Sequence, residues 1–288
     1  MSTQLTSVQR ALAAKTRAEL LDALSPGRLA LALPDIQRLT RHLDGLAETT
    51  VPLRIAILHT YTSDLLDPYI RFEALVQGLE PAIYHAPYGA IIQEAHSGSG
   101  LVAHKPDLTV VLLRWDDLDP ALASAFAAHS PADVDSLGER ARGRLLQQVQ
   151  AVRSVVSGHL VVTLLPSDRG PGLGDYDATA PSSEHRWRET LKAAIASDLR
   201  ETCASTTLLD LDQSLAVVGR ERFFDHRWWY TSRFPFSPAA AQDVTRRLIA
   251  VGAVLKRPRA KVIVLDADNT LWGGIIGEDG PEGIALGP

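Results

Sequence analysis

Residues 108–113 read Leu-Thr-Val-Val-Leu-Leu, and residues 159–165 read His-Leu-Val-Val-Thr-Leu-Leu. Both runs are short, β-branched and almost wholly apolar, as expected of strands covered on both faces rather than one. Leu53–His59 (LRIAILH), Ala82–His85 and Thr206–Leu211 (TTLLDL) read the same way. Between them lie stretches with helical spacing, Tyr69–Leu79, Leu118–Ala128, Val134–Val156 and Ser183–Ala204. Strands alternating with helices predict an α/β fold, with a parallel sheet and helices on both faces. That places a three-layer α/β domain over about residues 52–258.

The flanks differ in texture. Residues 1–51 carry Leu12, Leu20, Leu24, Leu39 and Leu43 at helical spacing, which predicts a helical N-terminal segment. Ser237-Pro238 offers an N-cap followed by proline at the first helical position, opening a last long helix through Val244, Leu248 and Leu255. Lys256–Arg259 (KRPR) reads as a linker. Lys261–Leu265 (KVIVL) then reads as the first strand of a second α/β domain, over 259–288.

Composition narrows the class. The 288 residues are 45% hydrophobic and 22% charged, the balance of a globular domain with a sizeable core. A formal net charge of −5 gives no electrostatic reason to expect nucleic acid or an anionic membrane as partner. No apolar run is long enough to span a bilayer. A single cysteine, Cys203, excludes an intramolecular disulfide and fits a cytoplasmic chain. In its apolar stretch it reads as a buried, inert thiol.

Two sets of residues carry candidate chemistry. The first is Val262–Gly280 (VIVLDADNTLWGGIIGEDG). A strand end delivering Asp266 and Asp268 into a polar turn suits phosphoryl transfer, with Asp266 as carboxylate nucleophile and Asp268 as acid and base. Thr270 follows, and Gly273, Gly274 and Gly277 permit the sharp turns of a small lid. Carboxylates beside a backbone carbonyl are half of a Mg²⁺ site. The second set lies in the larger domain. Ser63 follows the first strand, and Asp225-His226 lies near the domain's end, which raises an esterase reading. Adjacent Asp225 and His226 point apart on any regular element, so Asp225 is poorly placed to orient the imidazole. Arg114, at the end of a buried strand, is either a ligand contact or a charge reaching solvent beside Asp116 and Asp117. Phe223–Phe236, rich in aromatics and Arg, is either a partner surface or a plug at the sheet's end.

The string DADNTLWGGIIGEDG resembles motif I of the haloacid-dehalogenase superfamily, and more narrowly its FkbH-like branch. HTYTSDLLDPYIRFEALVQGLEPAIYHAPYG (59–89), LTVVLLRWDDL (108–118) and RERFFDHRWWYTSRFPFSP (220–238) resemble the long N-terminal region of such proteins, which is similar to an SGNH-hydrolase domain. The resemblance implies a bifunctional phosphatase and glyceryl transferase of polyketide biosynthesis, loading a glyceryl unit from a phosphorylated three-carbon acid onto an acyl carrier protein. It implies Asp266 as nucleophile, Asp268 as acid and base, and Mg²⁺ as cofactor. The family also needs a downstream Ser or Thr, a Lys and further acidic residues. The short stretch after Asp266 has no room for them, so the expectation is an N-terminal portion of such an enzyme, with the rest of the catalytic domain supplied elsewhere, for example by a separate chain. Two alternatives remain: a non-catalytic carrier-docking module, and an SGNH-type esterase.

Overall fold

The computed structural model describes residues 6–25, 31–123, 126–257, 262 and 264–285. The chain divides into a unit Met1–Lys256 and a unit Arg257–Pro288. The larger unit opens with α1 (Ser7–Ala11), α2 (Arg17–Leu24) and α3 (Leu33–Asp44). Thr6 and Gln9 form a reciprocal capping box on α1, and Thr16 caps α2. Among the described residues the strands that follow are β1 (Val51–His59), β2 (Leu79–His85), β3 (Leu108–Arg114), β4 (His159–Leu165) and β5 (Thr206–Leu209). α4 (Asp67–Val76) joins β1 to β2, and α5 (Gly100–His104) precedes β3. α6 (Trp115–Leu118) and α7 (Pro131–Val155) lead to β4, and α8 (Glu184–Thr202) leads to β5. α9 (Leu211–Val218), α10 (Arg220–Phe223), α11 (His226–Ser232) and α12 (Pro238–Lys256) complete the unit.

Within the sheet every strand pairing is parallel, and the strand order is β2-β1-β3-β4-β5. This is the doubly wound, flavodoxin-like order, so the α/β expectation holds. Side-chain alternation along β1 and β3 feeds two cores. Leu53, Ile55, Ile57, Leu108, Val110 and Leu112 pack with α2, α3, α4 and α12. Ala56, Leu58, Val111 and Leu113 pack with α7 and α8, as do Leu160, Val162 and Leu164 of β4. Burial on both faces explains why these strands read as unbroken apolar runs. The N-terminal helices belong to the same core: Leu20, Leu24, Ile36, Leu39 and Leu43 lie in one cluster with Leu53, Phe72 and Leu248.

Several boundaries depart from the expectation. The helix expected over Tyr69–Leu79 ends at Val76, and Leu79 already begins β2. Gly78 has φ +74°, a left-handed turn that stops the helix and starts the strand. The helix expected over Leu118–Ala128 is replaced by α6 and two short 3-10 turns, Pro120–Ala123 and Phe126–Ala128. Asp119, ahead of Pro120, is extended at φ −151°, as residues before proline favour, and the helix ends there. Of the strand expected over Lys261–Leu265, Lys261 and Ile263 lie outside the described residues, and Val262, Val264 and Leu265 are exposed and unpaired among the described residues. No helix among the described residues is long and apolar enough to cross a membrane.

Candidate functional site

In open parallel sheets ligands bind beyond the C-terminal strand ends, near the point where strand order reverses. Here that point lies between β1 and β3, and the chain fills it itself. Tyr61 is fully buried, edge-on to Phe236 at 5.8 Å between ring centres. The Thr62 amide donates to the Arg233 carbonyl (3.1 Å), and its hydroxyl donates to the Ser232 carbonyl. Phe223, Phe234 and Phe236 are buried, while Trp228 and Tyr230 are exposed. The aromatic segment is therefore part plug and part surface.

Arg114 and Asp117 knit the strand ends. The Asp117 carboxylate accepts the Arg114 amide (3.0 Å), its Nε (3.3 Å) and Nη2 (3.1 Å), and the Thr60 hydroxyl. Asp116 adds an ion pair to Arg114 at 2.7 Å. Burial works against the guanidinium charge, but the two carboxylates outweigh it and hold Arg114 firmly protonated. The Arg114 guanidinium lies 5.3 Å from the Trp229 ring centre. Of the two readings of Arg114, the structure shows a half-buried ion pair.

Ser63 is 1% exposed. Its Oγ lies 2.8 Å from His85 Nδ1, and His85 Nε2 lies 2.8 Å from Asp67 Oδ1. The structure thus joins Ser63 to His85 and Asp67, at the ends of β1 and β2, and not to Asp225 and His226. The polarity of this relay is the reverse of a serine hydrolase. There the aspartate is buried and the serine meets substrate; here Ser63 is enclosed and the Asp67 side chain is 41% exposed. Asp225 caps α11 through the Trp228 amide (3.0 Å), and His226 is exposed. Cys203 is buried in the core beside Leu199.

Arg114, Asp225 and His226 instead line one cavity of about 580 Å³, with Trp115, Phe126, Arg188, Trp229 and Arg233 among its other walls. It opens beyond β3 and β4. The loop after β4 borders it through Pro166–Gly170. That loop is anchored by Asp177, whose carboxylate takes the Ser183 hydroxyl and the Glu184 and His185 amides at the start of α8. Burial pushes this carboxyl up, but these bonds to its charged form prevail and hold it below the usual carboxylate range. Asp117 was read beside Arg114 in the sequence, whereas Arg188 and His85 went unmarked: no motif spacing links them to their partners.

The smaller unit is a compact turn. Asn269 adopts φ +55°, and its Oδ1 accepts the Gly274 amide at 3.0 Å. Gly274 itself sits at φ +103°, a conformation that side chains resist. Asp279, in α13 (Ile276–Asp279), accepts the Ile275 amide at 2.8 Å, and Gly273 bridges to Ala285. Asp266 and Thr270 are exposed. Asp268 is half-buried, and its Oδ1 accepts the Trp272 indole N–H (3.1 Å) and the Ile276 amide (3.2 Å). The oxygen donors suit Mg²⁺, but no group of three or more His, Cys, Asp or Glu among the described residues could hold a metal ion. Two carboxylates fall short of the octahedral shell Mg²⁺ demands, so the described residues do not by themselves make such a site.

No family model matches the chain, and neither does any curated protein. Among solved structures, it is similar to the N-terminal part of the protein BF1531 from Bacteroides fragilis, which contains a phosphatase domain and is complexed with Mg. The TM-score is 0.65 and the identity 21%, over 90% of this chain and 66% of that one. This chain therefore spans just under two thirds of that neighbour, and the likeness shows a shared fold.

Proposed function

We propose that this chain is the N-terminal portion of an FkbH-like phosphatase and glyceryl transferase of the haloacid-dehalogenase type. The observation that carries the reading is the turn holding Asp266 and Asp268. Asp266 is exposed and has no partner among the described residues, as suits a nucleophile. Asp268 is pinned through Oδ1 by an indole and a helix-start amide, which leaves Oδ2 for proton transfer. The neighbour's phosphatase domain and its Mg support the same direction.

In this reading Asp266 attacks the phosphorus of a phosphorylated three-carbon acid, and the bond to the leaving oxygen breaks as Asp268 donates a proton to it. Asp268 then takes a proton from the water that hydrolyses the aspartyl phosphate. For the glyceryl transfer, the acid's carboxyl must itself be activated as an acyl phosphate: the carrier protein's thiol attacks that carbonyl, the thioester forms, and inorganic phosphate leaves. The cation and remaining Mg²⁺ ligands come from sequence outside this chain's described residues, since phosphoryl transfer needs its equatorial charge neutralised. The exposed Trp228 and Tyr230, beside exposed Arg222 and Arg227, support the carrier-docking role: aromatics and Arg dominate binding hot spots. The enclosed Ser63 gives the esterase reading no comparable support.

The test is phosphate release from a phosphorylated three-carbon acid with Mg²⁺, comparing the full-length gene product with its Asp266→Asn form. We expect Asp266→Asn to lose at least about 10³-fold in rate, as removal of a nucleophile does. Undiminished turnover by Asp266→Asn would overturn the reading.

A further inference from the structure

The proposed phosphatase chemistry uses no residue of the cavity beyond β3 and β4, yet this cavity is furnished. Its volume, about 580 Å³, lies within the range of small-molecule sites. Trp115, Leu122, Phe126 and Phe224 give it apolar walls, and three guanidinium groups, Arg114, Arg188 and Arg233, come to it from three different elements.

Their partners differ. Arg114 is neutralised by Asp116 and Asp117. Arg233 has no carboxylate partner among the described residues; its guanidinium lies 5.3 Å from the centre of Trp229, the same ring that Arg114 approaches to 5.3 Å. A ring face attracts a cation but does not cancel its charge. Arg188 gives Nε to Glu184 Oε1 (3.1 Å) and Nη2 to the same oxygen (3.0 Å), while its buried Nη1 finds no acceptor. A buried donor without an acceptor is costly in a native structure. The acidic wall residues are largely committed: Asp116 to Arg114, Glu184 to Arg188, and Asp225 to the cap of α11. Asp168 and Arg169, both exposed on the rim, offset each other in charge.

We propose that this cavity binds an amphiphilic oxyanion, an organic phosphate or carboxylate with an apolar body. Arg233 and Arg188 take the oxyanion, because guanidinium forks match planar carboxylate and phosphate edges. Phe126, Phe224 and Trp115 enclose the body. The inference stands apart from the phosphatase reading, since its argument uses no residue of the Asp266 turn.

Calorimetric titration of the full chain at low salt tests it, with benzyl phosphate, phenylacetate, benzyl alcohol and inorganic phosphate as probes. At least one aromatic anion should bind saturably, at least tenfold more tightly than benzyl alcohol or inorganic phosphate. Binding of benzyl phosphate alone identifies an organic phosphate site, and of phenylacetate alone a carboxylate site. Arg233→Gln and Arg188→Gln should each weaken binding at least tenfold. Arg200→Gln, exposed near the end of α8 and outside the cavity, should leave it unchanged. Arg233 is exposed, so its variant should fold, and its result decides if Arg188→Gln does not. Failure of both anions to bind the wild type at millimolar concentration would overturn the proposal. So would equal binding of benzyl alcohol, or equal weakening by Arg200→Gln.

Discussion

Replacing Asp117 by Ala should destabilise the larger unit far more than replacing its neighbour Asp116. Asp117 takes four hydrogen bonds: the Arg114 amide, two guanidinium N–H groups and the Thr60 hydroxyl, which ties the end of β1 to the end of β3. Bonds to a charged acceptor contribute about 1.5–3 kcal/mol each when buried. The Asp117 side chain is 21% exposed, so water replaces part of what is lost. We expect a loss of about 2–3 kcal/mol, somewhat less than the roughly 3–5 kcal/mol of breaking a fully buried ion pair. Asp116 contributes one ion pair between two partly exposed groups, for which about 0–1 kcal/mol is usual. Urea denaturation followed by circular dichroism would measure both. In thermal melts the Asp117→Ala shift should be about 4–12 °C, at roughly 2–4 °C per kcal/mol for a domain of this size. If Asp116→Ala costs as much as Asp117→Ala, the reading of Asp117 as the tie between strand ends is wrong.

Acid should weaken the fold before carboxylates titrate. His59 is held below its ordinary value of 6.5 by burial, against the Tyr61 and Ala86 carbonyls that favour its charge, and His159 is held below it by burial and by Arg153. The unfolded chain therefore gains protons first: stability is full above 6.5 and falls as pH drops through 6.5 toward the folded values, and urea midpoints across this window should show that slope, reduced in His59→Gln. In the smaller unit, Asn269→Ala forces alanine to φ +55° and removes the bond to the Gly274 amide, at a cost of about 1–2 kcal/mol. Amide exchange at Gly274 should accelerate in Asn269→Ala more than in Asn269→Gly; equal rates in the two would count against conformational strain as the cause.

Much of the fold was legible because burial leaves a direct trace in residue type. The runs at 108–113 and 159–165 are apolar throughout because both faces of β3 and β4 are covered. The cap at Ser237-Pro238 was legible because its chemistry is local: the Ser237 hydroxyl accepts the Ala240 amide. The misread boundaries turn on single residues, Gly78 and Pro120, that override a helical pattern. In DADNTLWGG, Asn269 and Gly274 occupy left-handed positions, so part of the motif's wording reflects backbone geometry as well as chemistry. The contacts that went unread join residues distant in sequence. Nothing in the spacing pairs Ser63 with His85, and nothing near Arg188 signals a guanidinium with an orphan donor. Such contacts depend on how elements pack, which periodicity does not encode.

The central claim is that Asp266 becomes covalently phosphorylated. The most direct measurement is mass spectrometry of the peptide containing Asp266, from the full-length gene product acid-quenched during turnover of a phosphorylated three-carbon acid with Mg²⁺. The account requires a phosphoryl adduct on Asp266 that accumulates when Asp268→Asn slows its hydrolysis and is absent from Asp266→Asn. Turnover with no adduct in the Asp268→Asn protein, or with an adduct on another residue, would contradict it.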